Sequence, residues 1–433
     1  MAITVQHKSE QVDEAERVSG RVALPRLLQM FWICSGATFA MTLVLAWLEF
    51  RAGLSAGRWN PLALPMMDLK EYPETYHQLH TAAFFYNVPG HPLPYPRFSA
   101  VAYPPFAAVV MAPLYAAANP AALYLVVAAI ALGVGVWGVR GALMWEGIGG
   151  ATATSFPLTL VLMSFPIVRL VYQGNIELVL WIFAASGCVA YLNGEDDAAA
   201  GLWGLAAAMK LYPMILLMLL LPRRRYRAIV VGVATFVATT ALSVWWLGPT
   251  MGLALRGSVR NVFLYQGVRT GEWSLKELAA NHSAFGLVKM IAMIAGTSPT
   301  KLTLAYYACG ALAIGLAFFL RLWRMPVANQ LLAVSVFMVL YPPISYFHTL
   351  VHLDAPLLVL MFLAIRAERD GIRVPGLQLT VMLFVPLFAS FTLFTFPSFL
   401  LFGGLVQAVL LLVLFLCALQ YPFAIETTQA RAR

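Results

Sequence analysis

Long apolar runs separated by short polar breaks make up most of this chain. Crossing a bilayer as a helix takes about 17–25 mostly apolar residues. By that measure residues 27–50, 101–118, 121–139, 151–171, 176–192, 198–221 and 228–247 predict spans. Residues 302–320, 327–344, 349–365, 377–394 and 399–419 predict five more. The stretch 151–171 holds Pro157, Pro166 and Arg169, so a kinked or broken span is expected there. Two long polar interruptions stand out, at 60–105 and 248–281. The piece 282–295 is short and carries Lys289.

Basic residues in short loops set the orientation. Arg223, Arg224, Arg225 and Arg227 predict a cytoplasmic loop, which places residues 1–26 in the cytoplasm and the 60–105 loop outside. If 282–295 crossed, Arg321, Arg324, Arg366, Arg369, Arg373, Arg431 and Arg433 would all fall outside. An interfacial or re-entrant 282–295 returns all seven to the cytoplasm and is the better choice. The expected architecture is an all-α polytopic membrane protein of about 12 transmembrane helices with a long first outer loop. Its parts are a cytoplasmic tail (1–26), one membrane domain (27–420, outer loops 51–100 and 248–300) and a second cytoplasmic tail (421–433). In this arrangement the breaks Tyr103-Pro104-Pro105 and Tyr341-Pro342-Pro343 share the outer face with His348, as two sides of a cavity rim.

Composition agrees with a bilayer as solvent. Only 11% of the 433 residues are charged and mean hydropathy is +0.79, against roughly 25% charged in soluble domains. The net charge of +9 lies in loop clusters, which suits anionic lipids and argues against nucleic acid. Cys34, Cys188, Cys309 and Cys417 sit in separate apolar runs without metal-type spacing, as packing residues do. The N-terminus has no small-residue cleavage site, so the first run reads as an uncleaved anchor. No phosphate loop, nucleophile elbow or dinucleotide fingerprint occurs.

Candidate chemistry centres on the first outer loop. Asp68, in MMDLKEY, lies among apolar residues and prolines that would hold it against the membrane, where it could act as a general base. Tyr72 would share its helical face. Lys210, in AAAMKLYP near the middle of the expected span 198–221, is a costly charge, which points to a cavity and an anionic phosphate. Gln173 and Asn175 lie in RLVYQGN, which span counting puts on the cytoplasmic side. His348 and His352 are four apart and fit hydrogen bonding to a phosphate or a sugar hydroxyl. HTLVH lacks the glutamate of a zinc-protease helix, so no metal is expected.

DLKEY, AYPPFAAVVMAPLY, QGNIELVL, AAAMKLYP with its arginines, NHSAFG and PPISYFH come one after another in an order that resembles glycosyltransferase family 87. The family reads GQxN where this chain has QGN, and NQS where it has NHS. The resemblance implies a GT-C fold and a polyprenyl-phosphomannose-dependent α-1,2-mannosyltransferase-like activity. It implies an aspartate base, matched by Asp68, and a late histidine, matched by His348. Lys210, His348 and Tyr103 would then hold the donor phosphate, and Tyr72, Asn175, Asn281 and His352 the substrate. The partners implied are a polyprenyl-phosphate sugar, a lipid or glycan acceptor and membrane lipids, with no cofactor. The setting implied is a bacterial inner membrane, with the active site on the periplasmic or extracellular face. A transporter or flippase for lipid-linked glycans is the competing reading, although no internal repeat is evident. A scaffold without activity is a third.

Overall fold

The computed structural model describes residues 24–51, 79–81, 103–271, 281–388 and 403–424. Asp68 and Tyr72 lie outside the described residues. In chain order the helices are α1 (Arg26–Arg51), α2 (Pro105–Ala116), α3 (Pro120–Trp145), α4 (Gly150–Met163) and α5 (Phe165–Gln173). Next come α6 (Glu177–Leu192), α7 (Asp196–Met209), α8 (Tyr226–Leu247), α9 (Met251–Gly271) and α10 (Ala284–Ile294). The last are α11 (Thr303–Leu320), α12 (Val327–Leu340), α13 (Asp354–Arg369), α14 (Leu377–Phe388) and α15 (Gly403–Gln420). Short 3-10 helices lie at Tyr212–Leu220 and Phe347–Leu353.

Among the described residues, five helical stretches are long and apolar enough to cross a membrane, or six if the pair α4 and α5 counts as one span. That pair is bent by 60° at Ser164, the break expected around Pro166, whose ring cannot continue the hydrogen-bond ladder. Burial sorts the helices. α12 is buried from Ala328 to Leu340 and forms the core, as expected for a helix apolar all round. α3 instead exposes Ile130, Val134, Trp137 and Trp145, a face that matches lipid rather than water.

The arginines gather at one end of the bundle. Arg366 and Arg369 both pair with Glu146, after α3. The Arg26 backbone N–H donates to Glu368 at 2.9 Å. Arg321 Nε donates to Leu419 O at the end of α15. Glu146 is buried while its two arginines are half exposed, and these contacts mark where the helix ends lie. The start of α1 and the end of α15 therefore both lie at this arginine end.

Two expected crossings are not crossings. The run 198–221 has the length of a span, yet its ends meet: Asp196 pairs with Arg223 at 3.0 Å and with Arg225 at 2.9 Å. α7 climbs away from the arginine end, stops at Met209, and the 3-10 helix Tyr212–Leu220 brings the chain back. Pro213 explains the stop, because it has no N–H and its ring clashes with the carbonyl four residues earlier, that of Met209. Lys210 is thus not in mid-helix but at the tip of a re-entrant helical hairpin, with extended backbone (φ −148°, ψ 137°). Gly204 and Gly232 allow α7 to lie close to α8, since a Cβ on Gly204 would stand 2.4 Å from Gly232 O.

The 12-residue α2 also stays at the far end. It shares an apolar cluster with Leu79, Val244 and Leu247. α3 then starts where the Tyr124 hydroxyl donates to Leu170 O and Asn175 O, and ends at the arginine end. Each of these two returns reverses the direction of every later helix. Together they restore it, so α8 still runs outward from its arginines to Leu247. Span counting puts 169–175 and the acidic patch Glu195–Asp197 at the wrong ends; both move for this reason.

The piece 282–295 does not cross either. α10 has 11 residues, roughly 16 Å at 1.5 Å per residue, half the hydrocarbon core. The His282 N–H donates to Ser345 O at its start, and shortly after it Tyr306 donates to Tyr341 O. Both anchors lie at the far end. Most of the polar stretch 248–281 is the helix α9 rather than irregular loop.

The hairpin makes a direct prediction. Single cysteines replacing Asp197 and Arg224, in protein lacking its native cysteines, should react with an impermeant thiol reagent from the same side of the membrane. Labelling from opposite sides would mean that 198–221 crosses.

Candidate active site

Glu177 is the centre of a buried polar cluster. It opens α6, and its side chain has no exposed surface. The Asn175 side chain accepts from the Glu177 N–H at 2.9 Å, and Gly174 in left-handed conformation (φ 66°) ends α5 just before it. That conformation is costly for residues with a Cβ. The segment QGN is therefore the turn that aims Glu177 inward.

Three chain segments meet at this carboxylate. The Lys210 ammonium donates to Oε2 and the Tyr212 hydroxyl to Oε1, both from the hairpin tip. His352 Nε2 lies 2.7 Å from Oε1 and 3.1 Å from the Tyr212 hydroxyl. A buried carboxylate is tolerated only when its charge is paired and its lone pairs are used, and this one meets both conditions. The Lys210 side chain is 15% exposed against none for Glu177, so the lysine is the ionic partner that reaches open space. Tyr103 lies over it, with its ring centre 5.0 Å from Nζ.

His348 stands beside this cluster, and its Nδ1 lies 3.1 Å from Gln173 Oε1. In a 3-10 helix with three residues per turn, residues four apart no longer share a face. His352 accordingly turns to Glu177 and His348 to Gln173.

Of the residues singled out from sequence, the structure brings Lys210, Tyr103, His348 and His352 together. Asn175 sits at the same site as the support of Glu177. Asn281 does not join them. Its side chain accepts from the Ser283 and Ser345 N–H groups and donates to Pro343 O, tying NHS to PPIS. His282 belongs to that same joint, 3.0 Å from the Ser345 hydroxyl. Burial pushes its imidazole down to about 3. Glu177 and Tyr212 are the functional candidates that sequence reasoning passes over, and Gln173, which it considers, it leaves on the cytoplasmic side. The argument that picks out Lys210, an ionisable residue in an apolar run, applies equally to Glu177. Among the described residues no group of three acidic, histidine or cysteine side chains could hold a metal ion.

Two described points of the chain after Asp68 have fixed partners. Tyr103 covers Lys210. The His80 N–H donates to Leu247 O at 3.1 Å and the ring packs on Trp246. Trp181, one turn along α6 from Glu177, and Asp354 form part of the wall of a separate apolar cavity of about 120 Å³ that also involves Phe31, Leu132 and Ile167.

A family model described as Glycosyltransferase family 87 matches residues 102–344, which include every residue of the cluster except His348 and His352. The chain belongs to glycosyltransferase family 87. No curated protein and no solved structure matches it. As a family 87 member it is a membrane glycosyltransferase, acting on a sugar donor and an acceptor.

The Glu177–Lys210 pair is testable by a double-mutant cycle. Lys210→Met should destabilise the detergent-solubilised protein by roughly 3–5 kcal/mol, because it strands a fully buried carboxylate, and Glu177→Gln should cost less, because the Lys210 ammonium reaches open space. The double variant should lose clearly less than the sum, read from denaturation midpoints. Additive losses would mean that the two side chains are not coupled.

Proposed function

We propose that this glycosyltransferase takes a hexose, mannose by family resemblance, from a polyprenyl-phosphate donor and transfers it to a lipid- or glycan-linked hydroxyl on the outer face. The observation that carries the reading is the place of Lys210. A fixed ammonium at the tip of a re-entrant hairpin, backed by Glu177 and covered by Tyr103, suits a phosphate whose lipid stays in the bilayer.

In this reading Lys210 stabilises the charge that develops on the leaving phosphate. A cation fixed in advance does so without reorganising. Asp68 takes the proton of the acceptor hydroxyl as that oxygen attacks the anomeric carbon and the bond to the phosphate oxygen breaks. One base with a good leaving group gives inversion, so a β-linked donor yields an α product. Two features support Asp68 in this role. The loop rejoins the membrane at Tyr103, against Lys210, and its anchor at His80 lies at the end away from the arginines. With the arginines cytoplasmic, that end is periplasmic or extracellular.

The test is transfer from radiolabelled polyprenyl-phosphomannose in membranes. Asp68→Asn should abolish it at matched expression. Lys210→Met should lower turnover on the order of 10²–10³-fold, the usual loss when one charge-stabilising donor is removed, and Lys210→Arg should retain part of it. Undiminished transfer in Asp68→Asn would remove Asp68 from the chemistry. A wild type that moves labelled lipid across vesicles without transferring sugar would favour the flippase.

A further inference from the structure

Gln173 reaches the site from a part of the chain that counting places at the opposite end, and its position is built on every side. It is the last residue of α5, held by the Gly174 turn behind it. The Tyr124 hydroxyl fixes Leu170 O and Asn175 O around it. Phe165 meets Phe347 edge-on at 5.3 Å, seating α5 on the 3-10 helix that carries His348. On this platform Gln173 Oε1 lies 3.1 Å from His348 Nδ1. An amide oxygen only accepts, so Nδ1 carries the hydrogen, and a neutral imidazole then has its lone pair on Nε2. Nε2 makes no hydrogen bond among the described residues and is not among the sealed, unpaired atoms.

We propose that Gln173 is a positioning residue that fixes His348 with an accepting Nε2, so that His348 meets a hydroxyl of the transferred sugar or of the acceptor and not the donor phosphate. Phosphate oxygens are themselves acceptors and would face the lone pair unfavourably, whereas a hydroxyl donates to it. The labour is thereby divided: Lys210 takes the anion and His348 a hydroxyl. This inference rests on the transferase reading for the identity of the ligand. The Gln173–His348 tautomer does not.

Two measurements separate these dependences. The first uses detergent-solubilised protein labelled with ¹⁵N-histidine, the His348 signals being assigned by their loss in His348→Phe. The expected result is a protonated Nδ1 and a bare Nε2, with Gln173→Leu giving both tautomers and Gln173→Glu, of the same shape and able only to accept, preserving the Nδ1 proton. A proton on Nε2 of the neutral ring in the wild type, or a tautomer unmoved in Gln173→Leu, overturns the proposal.

The second is transfer. Gln173→Glu should remain active with its pH profile displaced to higher pH, because a carboxylate at Nδ1 favours the imidazolium. A purely structural glutamine would leave the profile where it is. The other charged or titratable groups facing His348 are Lys210, Glu177, Arg169, His352 and His282, and the series alters none of them. His348→Gln, which keeps an acceptor, should exceed His348→Arg by about 10-fold, the scale of one hydrogen bond. The reverse order would show a phosphate contact and overturn the proposal. A rise in KM for the donor or for the acceptor tells which hydroxyl is met. Absence of transfer in wild type with the expected tautomer present counts against the transferase reading and leaves the positioning role of Gln173 standing.

Discussion

A carboxylate cannot stay ionised in an apolar interior unless cations and donors come to it, and Glu177 sets that requirement for the whole far half of this protein. The Born cost of an isolated charge in such surroundings is of order tens of kcal/mol. Glu177 is therefore met by Lys210, Tyr212 and His352, from two parts of the chain far from it in sequence. The hairpin has to stop where it does so that its tip arrives at Glu177, and the 3-10 helix 347–353 has to turn His352 inward. What emerges is a lysine whose charge is secured from behind and available in front. The same contacts that make the fold possible hold a cation at the edge of open space.

The two returns at α2 and at the hairpin change how the rest of the molecule is oriented. Without them 169–175 would face the arginine end, far from His348. With them Gln173, Glu177, Lys210 and His348 gather at one level, and Tyr103 lies against Lys210 there. Non-helical backbone, costly against lipid, is concentrated there, where protein side chains surround it. At the arginine end the carboxylates of Glu146 and Asp196 are buried too, but their arginine partners reach the surface.

Much of this is legible in the sequence. Apolar run lengths give the helices, Pro166 marks the broken span, and the arginine distribution requires that 282–295 not cross. The ordered motifs point to the family. The hairpin is hidden because 198–221 has the length and composition of a span, and hydropathy measures how far a segment can reach without telling which way it goes. Only the long-range Asp196–Arg223 pair reveals the return, although Pro213 raises the question. Glu177 is masked in the same way, absorbed into the start of an apolar run. Gln173 loses its place in the site because counting puts it on the wrong side, an error that comes from the two missed returns.

α7 has 14 residues between the arginine end and Lys210, about 21 Å at 1.5 Å per residue, some two-thirds of a hydrocarbon core about 30 Å thick. That helix is a ruler. It fixes how far from the arginine end the ammonium stands, and the pairing with Glu177 depends on that length. A helical turn added to or removed from α7 would carry Lys210 past its carboxylate, so the reach of the hairpin and the neutralisation of a buried charge are set by one and the same count of residues.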